Sequence, residues 1–215
     1  MLNQDNINSY ATVLIDNDEN IINIWEHETR VASIAYLMPD STLYVPCKQV
    51  SGNGGPGQGP MGGRFKIMSW DGDIVWQYDL PEDICIPHHD IDVLPNGNIL
   101  LICSEAKTQE EAIELGIANI NEPMILDMIL EIEPVGVNEA NIIWEWHFWD
   151  HLIQDVSPNF ENFGIIANNP QLLNINLGSI NTLDDWNHLN SIHYNEGLDQ
   201  IVISARKQNE FYIID

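Results

Sequence analysis

The sequence predicts an all-β chain built as about three four-stranded blades of a β-propeller, a ring that this chain leaves incomplete. Three observations carry the prediction. Short runs of Ile, Val, Leu, Tyr and Trp alternate with turn dipeptides; two hairpin types take turns along the chain; and each type returns after a blade-sized interval.

The first hairpin type runs from Val13-Leu-Ile-Asp-Asn-Asp18 to Ile24-Trp25. It returns from Phe65-Lys-Ile-Met-Ser-Trp-Asp-Gly72 to Val75-Trp76 and from Ile129-Leu-Glu-Ile-Glu-Pro134 to Ile143-Trp144, and Phe211-Tyr-Ile-Ile-Asp215 reads as a fourth start. The second type begins at Ala32-Ser-Ile-Ala-Tyr-Leu-Met-Pro39, His88-His-Asp-Ile-Asp-Val-Leu-Pro95 and His188-Leu-Asn-Ser-Ile-His-Tyr-Asn195. Trp25 and Trp76 are 51 positions apart and Pro39 and Pro95 are 56 apart, the size of a four-stranded blade with its loops. Asp71-Gly72 and Asn96-Gly97 mark hairpin turns because their glycines supply the positive φ that such turns require. One helix is expected, where Thr108 and Glu111 form a capping box ahead of Ala112, Ile113 and Leu115 and Gly116 stops it. A second short helix is expected from Trp149 to Gln154. A β-sandwich is the alternative fold, weakened by the alternation of two distinct hairpin types.

About three blades cannot close a ring that needs four to eight. The expectation is one partial propeller domain over residues 1–215, the front part of a longer chain, with a ring completed by a second copy (a homo-oligomer) as the alternative.

Seven Lys and Arg against 33 Asp and Glu give a net charge of −26. Such a polyanion repels phosphate backbones and anionic lipid, so no nucleic-acid partner is expected. The longest apolar stretch, Met124 to Ile132, is interrupted by Asp127 and Glu131, and no membrane span is expected. Met1 to Asn6 shows no signal-peptide pattern. Cys47, Cys85 and Cys103 are an odd set without CxxC spacing and read as buried thiols.

Superposing the second hairpin type puts Ala32, His88 and His188 at one position beside the central channel, with Ile34, Asp90 and Asn190 two residues on along the same strand face. A turn centred on Gly197 places Arg206 across from His188. Superposing Leu43-Tyr-Val-Pro-Cys-Lys48 on Ile201-Val-Ile-Ser-Ala-Arg206 puts Lys48 at the matching place two blades earlier. So few cations gathered near one rim point to a small anion held inside an acidic shell; the alternative is an ion pair between Arg206 and a carboxylate such as Glu210. His147 and His151 have i, i+4 spacing, but no Glu stands where a HEXXH site needs one, and no metal or other cofactor is expected. The Gly-rich run Ser51 to Gly63 lacks a P-loop ending and reads as a connection. Glu26, His27 and Glu28 read as a solvated loop, His193 as outward-facing, and Trp144, Trp146, Phe148 and Trp149 as packing between blades.

His88-His89-Asp90-Ile-Asp-Val-Leu-Pro-Asn-Gly-Asn98, Ile143-Trp-Glu-Trp-His-Phe-Trp-Asp-His151, Asp185-Trp-Asn-His-Leu-Asn-Ser-Ile-His-Tyr-Asn195, Ser204-Ala-Arg206 and Asn209-Glu-Phe-Tyr-Ile-Ile-Asp215 together resemble the bacterial arylsulfate sulfotransferase family over nearly the whole chain. The resemblance implies a six-bladed propeller that moves a sulfuryl group from an aryl sulfate to a phenol without nucleotide sulfate. It also implies a ping-pong reaction through a sulfohistidine, and a periplasmic or secreted full-length protein. Residue by residue, it implies that His88, His188, Asn190 and Arg206 line the sulfate pocket. The family's nucleophilic histidine lies in a later blade, past Asp215, and its N-terminal sandwich domain and signal peptide have no counterpart here. Truncation, leaving this piece inactive alone, is the expectation; the alternative is that another histidine has taken the role. A non-catalytic propeller that binds a partner is the competing function. A quinone-dependent dehydrogenase propeller is a third reading, suggested only by strands closing on Trp and supported by no cofactor motif.

Overall fold

In the computed structural model, the structure describes residues 10–49, 62–117, 120, 123–177 and 185–215. All but the last two residues of the Gly-rich run lie outside the described residues. The chain is all-β, in sheets that are antiparallel but for one short pair and whose consecutive strands are neighbours. β1 (Ala11–Ile15) and β2 (Ile21–Glu26) form a hairpin. β3 (Tyr36–Leu37), β4 (Leu43–Lys48), β5 (Gly63–Met68) and β6 (Ile74–Asp79) form the first four-stranded sheet, and β7 (Ile86–Val93), β8 (Ile99–Lys107), β9 (Met124–Val135) and β10 (Glu139–His147) the second. Each joins one hairpin of the second type to one of the first, in up-and-down order. After a short parallel pair, β11 (Leu152–Ile153) with β12 (Leu173–Asn174), the chain forms a three-stranded sheet of β13 (Leu189–Asn195), β14 (Gln200–Ala205) and β15 (Glu210–Ile214).

Both glycine turns form as read: Gly72 and Gly97 have φ of 90° and 89°. Helix α1 (Gln109–Glu114) starts on the expected box, with Thr108 Oγ1 accepting from the Glu111 N–H at 3.2 Å and the Glu111 carboxylate accepting from the Thr108 N–H at 2.7 Å. The expected second helix is instead one 3-10 turn, Phe148–His151, which runs directly into β11.

Sheets meet face to face, so central strands bury both faces. In Ile99-Leu-Leu-Ile-Cys103, residues 99, 101 and 103 pack toward the first four-stranded sheet with Phe65, Ile67 and Trp76, while 100 and 102 pack toward the three-stranded sheet with Leu189, Ile192 and Ile203. Trp25, Leu43, Val45 and Met68 fill the gap between the hairpin and the first sheet. The repeated tryptophans explain the period. Trp25 Nε1 donates to the Ser69 carbonyl at 2.8 Å and Trp76 Nε1 to the Glu139 carbonyl at 2.8 Å, each tying one sheet to the next. Both rings are buried, so the indole N–H needs a partner and finds it in the neighbouring sheet.

Two sequence expectations are corrected here. Cys85 and Cys103 pair as a disulfide, with Cα atoms 5.7 Å apart, and only Cys47 is a free thiol; sheet register rather than sequence spacing brings the pair together, since Pro87 stands opposite Cys103. His27 is buried, not solvated: its N–H caps the first hairpin on the Tyr10 carbonyl, Nε2 lies 2.9 Å from Thr12 Oγ1, and Glu26 and Glu28 alone face solvent. Burial, reinforced by nearby Lys66, pushes the His27 imidazole down to about 4.

Replacing Trp76 by Phe is expected to cost about 1–3 kcal/mol through the orphaned Glu139 carbonyl, and Trp76→Ala about 3–5 kcal/mol. The exposed Trp70→Phe serves as a near-neutral control. Equal urea midpoints for Trp76→Phe and Trp70→Phe would remove the indole bond as a tie between sheets. His27 is neutral when folded but protonates near 6.5 when unfolded, so the unfolded chain binds the extra proton and stability drops as pH falls from about 6.5 to about 4. The loss reaches about 3 kcal/mol, and His27→Gln is expected to flatten that part of the stability-against-pH curve; parallel curves for the two proteins would refute it.

Candidate functional site

The site lies where the edge strands β7 and β13 of two neighbouring sheets meet. On β7 the register slips between Pro87, opposite Cys103, and Ile91, opposite Leu101, so three residues, His88-His89-Asp90, stand against Ile102 alone. This bulge re-aims side chains that a regular strand would alternate, and His89 adopts a φ of 57° within it. β13 begins beside it directly after His188, which has a φ of 51°. Its register with β14 also shifts by one, at Asn190, and the shift places Arg206 across from His188, whose carbonyl accepts from the Arg206 N–H at 3.1 Å.

Three imidazoles converge. Ring centroids are 5.0 Å apart for His88 and His89, 4.7 Å for His89 and His188, and 6.4 Å for His88 and His188. His88 is buried, and its Nε2 lies 2.8 Å from Asp127 Oδ1 on β9 while its Nδ1 lies 2.8 Å from His89 Nδ1. His188 Nδ1–H donates to Asp185 Oδ2 at 2.5 Å, and the Lys207 ammonium lies 3.8 Å from the same oxygen. His89 is half-buried; burial foremost, then His88 and His188, and finally Arg206 hold its imidazole down to about 4, against the opposing pull of Asp127. The Arg206 side chain is exposed and makes no hydrogen bond or ion pair among the described residues; the alternative pairing with Glu210 does not form, because the Glu210 carboxylate accepts from Tyr212. Asn187 is wholly buried, its Oδ1 accepting from the Asp127 N–H at 3.0 Å while its Nδ2 has no partner among the described residues.

The other sequence candidates separate from this cluster to different degrees. Ala32 lines a narrow crevice shared with His88, Asp90, Ser33 and Gly62. Asn190 is exposed at the β13 register shift and makes no hydrogen bond among the described side chains. Lys48, exposed at the end of β4, likewise has no bond to the cluster. Arg64 and Lys66 are buried elsewhere, with Arg64 bonded through two nitrogens to Asp79 at 2.7 Å each, so the cations are not all gathered at one rim. His147 lies 3.1 Å from Glu105 and His151 Nδ1–H donates to the His147 carbonyl at 2.9 Å, both occupied within the fold. His193 is exposed as expected, near Asp92. A cavity of about 500 Å³ lies between Trp144 and Tyr194, but Glu131, Glu196, Asp199 and Asp215 line it and would repel an anion.

Sequence reasoning missed His89, Asp127, Asp185 and Asn187. His89 and Asn187 sit inside quoted motifs beside residues that were chosen. Asp127 carries no local signal, since only the register that sets it opposite Ser104 brings it to the site.

Chemically, the cluster offers imidazole nitrogens for proton or group transfer and, in Arg206, a guanidinium unpaired among the described residues for an oxyanion. A search of curated proteins finds no match to the chain. A protein-family model described as Arylsulfotransferase (ASST) matches residues 13–215, which include every residue of the cluster. The chain therefore belongs to the arylsulfotransferase (ASST) family.

Proposed function

We propose that the histidine cluster is the sulfuryl-handling centre of an aryl-sulfate sulfotransferase, which moves the group from an aryl sulfate to a phenol through a sulfohistidine and without nucleotide sulfate. The observation that supports this reading is the gathering of three imidazoles beside Arg206, unpaired among the described residues, in a chain of net charge −26. In such a field an unpaired guanidinium draws a small anion to one place, and its planar fork matches the sulfonate oxygens. The family assignment supports the general activity. The sheets are then blades of a propeller, with β3, β7 and β13 innermost and Lys48 and Asn190 at the channel margin. The Cys85–Cys103 pair suits the oxidising compartment that the family resemblance implies.

The chemistry proceeds in two displacements. An imidazole nitrogen attacks sulfur, the S–N bond forms, the ester S–O bond breaks, and the phenolate leaves with a proton from a second imidazole. The acceptor phenol oxygen then attacks sulfur, the S–N bond breaks, and the phenol proton passes to an imidazole. Arg206 acts on the sulfonate oxygens, whose charge changes as the group passes between partners.

The test is release of fluorophore from a fluorogenic aryl sulfate by the full-length protein, with and without phenol, in the absence of nucleotide sulfate. Phenol-dependent release with sulfation of the phenol is expected, with Arg206→Ala lowering kcat/KM by about 10²–10³-fold. Arg206→Lys is expected to restore only part of it because an ammonium lacks the fork. Release that ignores phenol indicates a sulfatase, and no release over a panel of donors leaves a non-catalytic binding module.

A further inference from the structure

Asp127 is the carboxylate that engages the imidazole of His88. It is 1% exposed and accepts from the His88 Nε2–H at 2.8 Å, the Leu189 N–H at 2.5 Å and the Ser104 hydroxyl at 3.4 Å. Its own N–H is held by Asn187 Oδ1. Being an acceptor only, it fixes the hydrogen of neutral His88 on Nε2, which leaves His88 Nδ1 with a lone pair. That lone pair faces His89 Nδ1 at 2.8 Å, where only one of the two nitrogens can carry a hydrogen. The hydrogen must therefore sit on His89 Nδ1, so the lone pair of His89 lies on Nε2.

We propose that Asp127 is the positioning residue of the site: through His88 it sets the tautomer of His89, making His89 Nε2 the proton-accepting nitrogen, and it holds the positive charge that results. When the acceptor phenol gives its proton to His89 Nε2, the hydrogen on His89 Nδ1 passes to His88 Nδ1. His88 then carries both N–H groups against the Asp127 carboxylate, and His89 is neutral again. The leaving phenolate draws a proton out by the reverse path. This charge placement agrees with the environment of His89, where burial and the other imidazoles disfavour a cation. The charged and titratable groups facing the pair are Asp127 from β9, and His188, Asp185, Lys207 and Arg206 from the two ends of the β13–β14 hairpin. Asp90 is turned away, bonded to Tyr36 and to the Ile192 N–H.

The tautomers stand apart from the enzymatic reading, whereas the relay role rests on it, and two measurements separate them. In the protein labelled with ¹⁵N-histidine, imidazole nitrogen NMR at neutral pH is expected to show His88 protonated on Nε2 and His89 on Nδ1. The opposite tautomer at either ring overturns the proposal without reference to turnover. In the phenol-dependent transfer assay, Asp127→Asn is expected to lower kcat by about 100-fold. KM for the aryl sulfate should stay within about threefold, and the acidic limb of the kcat profile should move to lower pH, because the cation loses its counter-charge. His89→Gln keeps a donor toward His88 but loses the accepting nitrogen; it is expected to lose kcat similarly and to regain part of it with added imidazole. Asp127→Asn with wild-type kcat, or with a loss at unchanged pH limb and raised KM, overturns the relay. The expected tautomers in a protein that transfers nothing would sink the sulfotransferase reading and leave the Asp127 assignment standing.

Discussion

The structure depends on one row of carboxylates along the middle four-stranded sheet. β13 is the edge of its own sheet, so the backbone N–H groups on its outer side have no strand to pair with. Asp90 Oδ2 accepts from Ile192 N–H at 3.2 Å, Asp92 Oδ2 from Tyr194 N–H at 2.6 Å, and Asp127 Oδ2 from Leu189 N–H. Asp90 and Asp92 are two residues apart on β7, as Ile192 and Tyr194 are on β13, so matching strand periods carry the contact. Asp90 also accepts from the Tyr36 hydroxyl at 2.7 Å, so one carboxylate joins β3, β7 and β13. Side chains take the place of a ladder, which lets separate sheets approach without fusing into one.

The same device builds the functional site. A regular β7 would send His88 and His89 to opposite faces; the bulge frees both, and Asp127 and Asp185 then anchor one nitrogen each on His88 and His188. Each anchored ring presents its other nitrogen in a chosen direction. The acidity of the chain has two scales here. Over the whole molecule it repels anions, whereas at the cluster the nearest carboxylates are already engaged by imidazole, ammonium and backbone donors. Arg206, unpaired among the described residues, then dominates the local field.

Legibility from the sequence followed the range of the interaction. The Thr108–Glu111 box, the Asn96-Gly97 turn and the tryptophan period were readable because each rests on residues close in sequence or on repetition. The pairing of Arg206 with His188 was readable because a hairpin's partners follow from its turn, and a one-residue shift at Asn190 brought the count to the observed register. Cys85 with Cys103, buried His27 and the Trp149 segment were misread for the opposite reason. Each is decided by what packs across a sheet or between sheets, and nothing beside them in the chain reports it.

Local residue patterns settle the all-β class, the alternating hairpins, the strand limits near their turns, and three members of the cluster in His88, His188 and Arg206. Those properties rest on local backbone preference and a two-residue side-chain period. Tertiary structure alone decided that His89 joins them, that Asp127 and Asp185 fix the ring orientations, and that Asn190 faces solvent while Asn187 is enclosed. These outcomes depend on a bulge and on register between strands far apart in the chain, where a shift of one residue exchanges the faces of a strand.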